Sequence, residues 1–238
     1  MGTEKPGSLW ERLERPAPAP RQTLSPERIA STAVALADAE GLEAVTMRRL
    51  AAELGVAPMA PYRYLSGKDD LLDLMVDHVY AEPWTPDGLG WREALRDLAF
   101  RTRELTLAHP WLGRLPLRAK LALTPNRMAV AEQALAVLDG HDMDADTMMS
   151  VFRAVDAYVE GATGYETAVT ELIDDEGLAG GDGLRSELAP TMVWLTGTGR
   201  YPAFEKYLRT ATRKDDAEWR FAHGLDCLLE GIAARLGI

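Results

Sequence analysis

Apolar side chains recur every three or four residues along most of the chain, the spacing of amphipathic helices, and no stretch keeps the two-residue alternation of a strand. The first clear element opens at Ser25, a capping residue, with Pro26 at the first helical position and Glu27 near the positive end of the helix dipole. Ile29, Ala30, Ala33, Val34, Leu36 and Ala37 form its apolar stripe, and Gly41 stops it. Thr46 caps a short second helix that turns Met47, Leu50, Ala51 and Leu54 inward, and Gly55 suits the left-handed position that ends it. A third short helix follows directly. A fourth begins near Lys68, carries Asp69 and Asp70 in its first turn, buries Leu71, Leu72, Met75, Val76 and Val79, and is ended by Pro83 and Pro86.

The pattern divides the chain into a tail over residues 1–24, a small helical domain over 25–82, a junction rich in proline and glycine over 83–90, and a larger helical domain over 91–238. The tail holds Pro6, Pro16, Pro18 and Pro20 and shows neither period, so it is expected to be disordered. In the larger part, Trp91 to His109 repeats Leu95, Leu98, Thr102 and Leu105 on one face, and Pro125 to Asp139 repeats Met128, Ala131, Leu135 and Leu138. A longer helix from about Asp144 to Ile173 has two apolar faces, one through Met149, Phe152 and Val159, the other through Met148, Val151, Val155, Tyr158 and Tyr165. Gly177 to Gly183 reads as a flexible connector, Pro190 to Thr198 and Pro202 to Thr212 as short helices, and Ala217 to Leu236 as a last helix with a seam of Phe221, Leu225, Leu228, Ile232 and Leu236. The fold class is therefore all-α.

Composition narrows the function. The net charge of −11 excludes a protein that coats nucleic acid over its whole surface, yet Thr46 to Lys68 holds Arg48, Arg49, Arg63 and Lys68 against only Glu53. No apolar run is long enough to span a bilayer and the first residues do not form a signal sequence, which points to a cytoplasmic protein. The four histidines lack HExxH spacing and no G-x-S-x-G element occurs, which argues against an enzyme, a metal site or a bound cofactor. The single Cys227 sits in an apolar helical pattern and reads as a small buried residue.

Two short helices joined at a glycine turn and braced by a preceding helix form the geometry that presents one helix to the major groove. Arg48, near the start of the second helix, is placed to fix a backbone contact. Over Thr46 to Leu72, TMRRLAAELGVAPMAPYRYLSGKDDLL, the sequence resembles the DNA-binding segment of the tetracycline-repressor (TetR) family. The likeness rests on the RRLAAELGV helix, the Tyr62-x-Tyr64 step, Lys68 and the Leu71–Leu72 pair, and continues through His109, Pro110 and Trp111 to the ending FAHGLDCLLEGIAARLG, which resembles the tetracycline-repressor branch. It implies a three-helix helix-turn-helix domain followed by a larger helical domain for ligand binding and dimerisation. It also implies that Tyr62 and Lys68 contact phosphates while Met59, Ala60 and Arg63 face bases; Thr46, Arg49, Pro58 and Tyr64 complete the candidate set. Pro61 departs from the family, which usually has Leu there, and is expected to push Ala60 away from helical angles and delay the start of the reading helix.

The resemblance further implies a homodimer, double-stranded operator DNA and a small-molecule effector as partners, with no membrane. Tyr158, Gly161, Tyr165, Phe221, Leu225, Leu228 and Ile232 are the candidates for the dimer interface, and the same periodicity also fits an intrachain core. Leu98, Thr102, His109, Trp111, Met128, Met149, Phe152 and Asp156 are the candidates for an effector cavity, although His109 before Pro110 also suits a helix cap. The function expected is a ligand-responsive regulator, repression being the family default. The alternatives are a helical small-molecule-binding protein whose DNA-reading helix has degenerated and, less favoured, an enzyme.

Overall fold

The computed structural model describes residues 9–13, 24–81 and 88–238, in which every regular element is helical. The chain falls into two compact units, Met1–Phe152 and Arg153–Ile238. The first contains α1 (Leu9–Leu13), α2 (Pro26–Glu40), α3 (Met47–Glu53), α4 (Lys68–Val79), α5 (Trp91–Ala108), α6 (Leu117–Lys120), α7 (Pro125–Ala136) and the start of α8 (Ala145–Asp175). Tight 3-10 turns interrupt it at Leu42–Ala44, Pro61–Arg63 and Pro110–Arg114. The second contains the rest of α8, α9 (Gly180–Gly197), α10 (Pro202–Thr210) and α11 (Ala217–Leu236).

Side-chain caps begin several of these helices. The Ser25 hydroxyl accepts from the Arg28 N–H, Thr46 from Arg49, and Thr124 from Arg127, while the Asp216 carboxylate accepts from Trp219 at 2.8 Å. Each such cap contributes about 1 kcal/mol. In the first unit α2 packs on α3 and α4, and Ile29, Ala33, Leu50, Leu65, Leu71 and Met75 are almost wholly excluded from water. Each large side chain buried in this way adds about 1.5–3 kcal/mol, which makes this core the platform for everything that protrudes from it. The end of α4 is also tied to the first turn of α7: Asn126 donates its backbone N–H to Asp77 Oδ1 at 2.8 Å and its amide to the Asp77 carbonyl at 2.9 Å.

Three expectations are corrected. Within the supposed tail, Leu9 is buried in the first unit's core, with Trp10 and Leu13 packed against it, because these three apolar groups share one short helical turn; residues 1–8 and 14–23 lie outside the described residues. Most of the expected junction, residues 82–87, lies outside them as well. Helix α7 buries Val130 and Ala134, with Leu138 just beyond, and leaves Met128 exposed, so its inward stripe is spaced by fours and shares only Leu138 with the one expected. The glycine-rich connector is largely helix: α9 starts at Gly180 and runs through Pro190.

Candidate nucleic-acid interface and ligand cleft

Gly55 ends α3 with φ +68°, a conformation that a side chain would strain, and the Arg28 guanidinium from α2 donates to the Leu54 carbonyl at 3.4 Å. The chain then turns outward. Ala60 N–H bonds to Ala57 O at 2.9 Å, Arg63 to Ala60 at 3.2 Å and Tyr64 to Pro61 at 3.0 Å, so residues 57–64 form two successive tight turns. Pro61 sits at the first position of its turn, where no N–H is needed, and its ring is buried. Contrary to expectation, Ala60 keeps helical angles (φ −64°, ψ −41°); the Ala57 carbonyl is taken by Ala60 itself, so the missing proline donor breaks nothing. The reading element that starts at Pro61 is one 3-10 turn and not a full α-helix.

From this turn Met59 protrudes, 71% exposed, with Tyr62 43% exposed beside it. Pro58, Tyr62 and Arg63 are exposed, Ala60 is half-covered, and Leu65 anchors the segment in the core. Tyr64 faces the other way: its hydroxyl donates to the Leu24 carbonyl at 2.7 Å, which makes it a brace and removes it from the contact set. Thr46 is spent as the cap of α3, leaving its exposed edge beside the segment.

The cations fall into two classes. Arg49 is held by Glu40 at 2.8 Å and Glu53 at 3.7 Å, so its charge is compensated within the protein. Arg48, Arg63 and Lys68 are exposed and have no anionic partner among the described residues. In the first turn of α4 the carboxylates have their own partners: Ser66 donates through its backbone and hydroxyl to Asp70, both at 2.7 Å, and Arg118 approaches Asp69 at 3.5 Å. Burial, then the neighbouring charge of Asp70, raises the Asp73 carboxyl above its ordinary value against the downward pull of Arg118.

Behind the reading head lies a cleft of about 600 Å³ in the same unit. Val34 of α2 and His78 and Val79 of α4 form one side. Asp97, Phe100, Arg101, Glu104, Leu105 and Ala108 of α5 form the other, with His109 at its end. The lining residue His109 is held by Asp38 of α2, whose Oδ1 accepts from Trp111 Nε1 at 2.7 Å and lies 2.8 Å from His109 Nδ1. A carboxylate only accepts, so His109 carries its proton on that nitrogen.

Residues 29–75 match the family described as bacterial regulatory proteins, tetR family, and residues 82–236 match the tetracyclin repressor-like C-terminal domain. The chain belongs to the TetR family. It is 35% identical over 227 residues to the HTH-type transcriptional repressor DrrR1 of Streptomyces coeruleorubidus, covering 94% of this chain and 83% of that one. It is 31% identical to an HTH-type transcriptional regulator of Saccharopolyspora erythraea, covering 98% and 94%. Among solved structures, apo ActR of Streptomyces coelicolor superposes with a TM-score of 0.71 at 28% identity, covering 93% of this chain and 99% of that one.

This TetR-family chain distributes the expected effector residues in a way the sequence did not show. Only His109 lines the cleft. Leu98 and Trp111 are core residues, and Thr102 donates its hydroxyl back to the Leu98 carbonyl at 2.8 Å. Met128 and Met149 are exposed, Phe152 is half-buried at the end of the first unit, and Asp156 belongs to the second. The residues that do line the cleft were legible as a second stripe on α5, in which Asp97, Arg101, Glu104 and Ala108 follow one another at three- and four-residue steps.

The expected dimer face is corrected in part. Phe221 and Leu225 are buried within their own chain together with Leu229, because the inward stripe of α11 is spaced strictly by fours. Tyr158 packs its ring on Phe221, with centroids 5.5 Å apart, and donates its hydroxyl to the Phe221 carbonyl at 2.8 Å. Burial raises the Tyr158 phenol above its ordinary value. Gly161 and Tyr165 are exposed and Leu228 and Ile232 are half-exposed, so these four remain available to a second copy. Cys227 is exposed rather than buried. Among the described residues no helix is long and apolar enough to cross a membrane.

Proposed function

We propose that this protein is a ligand-responsive transcriptional repressor that grips a palindromic operator as a homodimer. The observation that carries the reading is the set of three uncompensated cations, Arg48, Arg63 and Lys68, around an outward turn that displays Met59 and Tyr62. In an acidic protein, phosphates are the partner that such an island fits, and the exposed Met59 suits an apolar contact with a thymine methyl. Its relative DrrR1 is named a transcriptional repressor, and ActR has been solved in complex with actinorhodin.

In this mechanism the phosphate contacts set the register through Arg48, Tyr62 and Lys68, while Met59, Ala60 and Arg63 meet base edges. A second copy, seated on the exposed Gly161, Tyr165, Leu228 and Ile232 surface, supplies the other reading head for a half-site about one helical turn away. Effector and operator then favour different placements of the heads, and each weakens the other by the same factor. The effector is an organic molecule small enough for the cleft of about 600 Å³, and the protein works in the cytoplasm without catalysing a reaction.

Selection of bound duplexes from a random pool, followed by gel shifts of the winners across a salt series, tests this reading. The expected result is an inverted repeat, a complex of two chains per duplex, and an affinity that falls steeply with salt. A flat salt response, or a binding unit of one chain, overturns it.

A further inference from the structure

Resting on the reading of the protein as an effector-responsive regulator, we propose that the cleft between α2, α4 and α5 binds an amphipathic organic cation. Glu104 receives its charge, and its occupant acts on the DNA-reading head directly. The volume of about 600 Å³ is that of a site for a drug-sized molecule. Val34, Val79, Phe100 and Leu105 supply an apolar wall.

The charges on that wall decide the ligand. Asp97 and Arg101 neutralise each other, with Arg101 Nε 2.7 Å from Asp97 Oδ2. His109 is committed to Asp38. Glu104 has no hydrogen-bond or ion-pair partner among the described residues, so it offers the cleft an uncompensated negative charge. A cationic centre flanked by apolar groups satisfies both features at once, whereas an anion of the same shape meets repulsion.

The position of the cleft links the ligand to DNA. Two of its walls, α2 and α4, are helices of the reading head. From the α2 side, Arg28 holds the Leu54 carbonyl and the Leu24 carbonyl holds Tyr64, so a shift of α2 is passed to both ends of the reading segment. An occupant that spreads α2 from α5 must also work against the Asp38 bonds to His109 and Trp111.

The test uses the full chain and two ions of matched shape, tetraphenylphosphonium and tetraphenylborate, titrated by calorimetry. The cation is expected to bind once per chain and the anion at least tenfold more weakly. Glu104→Gln, an exposed helical position, weakens cation binding three- to tenfold and keeps operator affinity in a gel shift, and Ala108→Trp, which fills the cleft, abolishes cation binding. Equal binding of the two ions, or full affinity in Glu104→Gln, overturns the proposal. A wild-type protein that shifts its operator but ignores tetraphenylphosphonium also overturns it and leaves the regulator reading intact. A protein that binds the cation with this charge dependence but no DNA overturns the regulator reading alone.

Discussion

Replacing Asp38 by alanine separates a structural strap from simple core packing. The carboxylate serves two donors at once, Trp111 Nε1 at 2.7 Å and His109 Nδ1 at 2.8 Å, from the turn that follows α5. Trp111 is 3% exposed, so Asp38→Ala strands a buried indole N–H at a cost of about 1–3 kcal/mol. The bond to the more exposed His109 adds about 1 kcal/mol, for about 2–4 kcal/mol in all. That is a large share of the roughly 5–15 kcal/mol that holds a typical domain together. Trp111→Phe removes the same donor but leaves Asp38, whose side chain is 32% exposed, to be hydrated while it keeps His109. In the double variant nothing is stranded. Urea unfolding followed by circular dichroism is therefore expected to show a double-variant cost at least about 1 kcal/mol below the sum of the single ones, at constant m. Strict additivity would refute the shared-acceptor account, because it would mean that the indole N–H finds water when Asp38 is lost.

Other substitutions test the interface and the second unit. Arg48→Ala and Lys68→Ala should each lower the salt slope of operator binding by about one, whereas Arg49→Ala, whose charge is shared with Glu40 and Glu53, should leave the slope unchanged in the same gel-shift series. Asp73 binds its proton more tightly in the folded chain than in the unfolded one, so stability falls as pH rises from the ordinary value of 3.8 through the raised folded value. Asp73→Asn should accordingly raise the Tm at pH 7, with a gain that disappears below pH 3.8 in thermal melts. A Cβ at position 224 meets the Tyr158 hydroxyl, so Gly224→Ala should cost about 1–3 kcal/mol in urea unfolding and Tyr158→Phe should relieve part of that loss. Thr163 is fully buried with its hydroxyl oxygen unpaired, and Thr163→Val should stabilise the chain by about 1 kcal/mol in the same assay.

The reading head was the most legible part of the sequence because its signals are local. Ser25, Pro26, Thr46 and Gly55 each act through backbone geometry within a few residues, and all six apolar positions expected on α2 are buried. The sequence is least legible where the outcome depends on distant neighbours. In α7 the steps Met128, Ala131, Leu135 and the steps Val130, Ala134, Leu138 are both helical, and only packing against the rest of the unit shows that the second set faces inward. In α9 the glycines suggested flexibility, yet Leu178 packs so closely on Gly183 that a side chain there would be crowded. On α11, Leu228 and Leu229 are adjacent and equally apolar, and periodicity alone did not say which lies inside. For the cleft, α5 carried a legible polar stripe, but the opposing wall comes from α2 and α4, far away in sequence.

The proline at position 61 has a consequence for the breadth of control. A reading turn this short would bring few side chains to the base edges, so much of the discrimination would pass to how readily the duplex narrows or bends beneath it. Promoters whose letters have drifted but whose stiffness is preserved stay within reach of such a regulator.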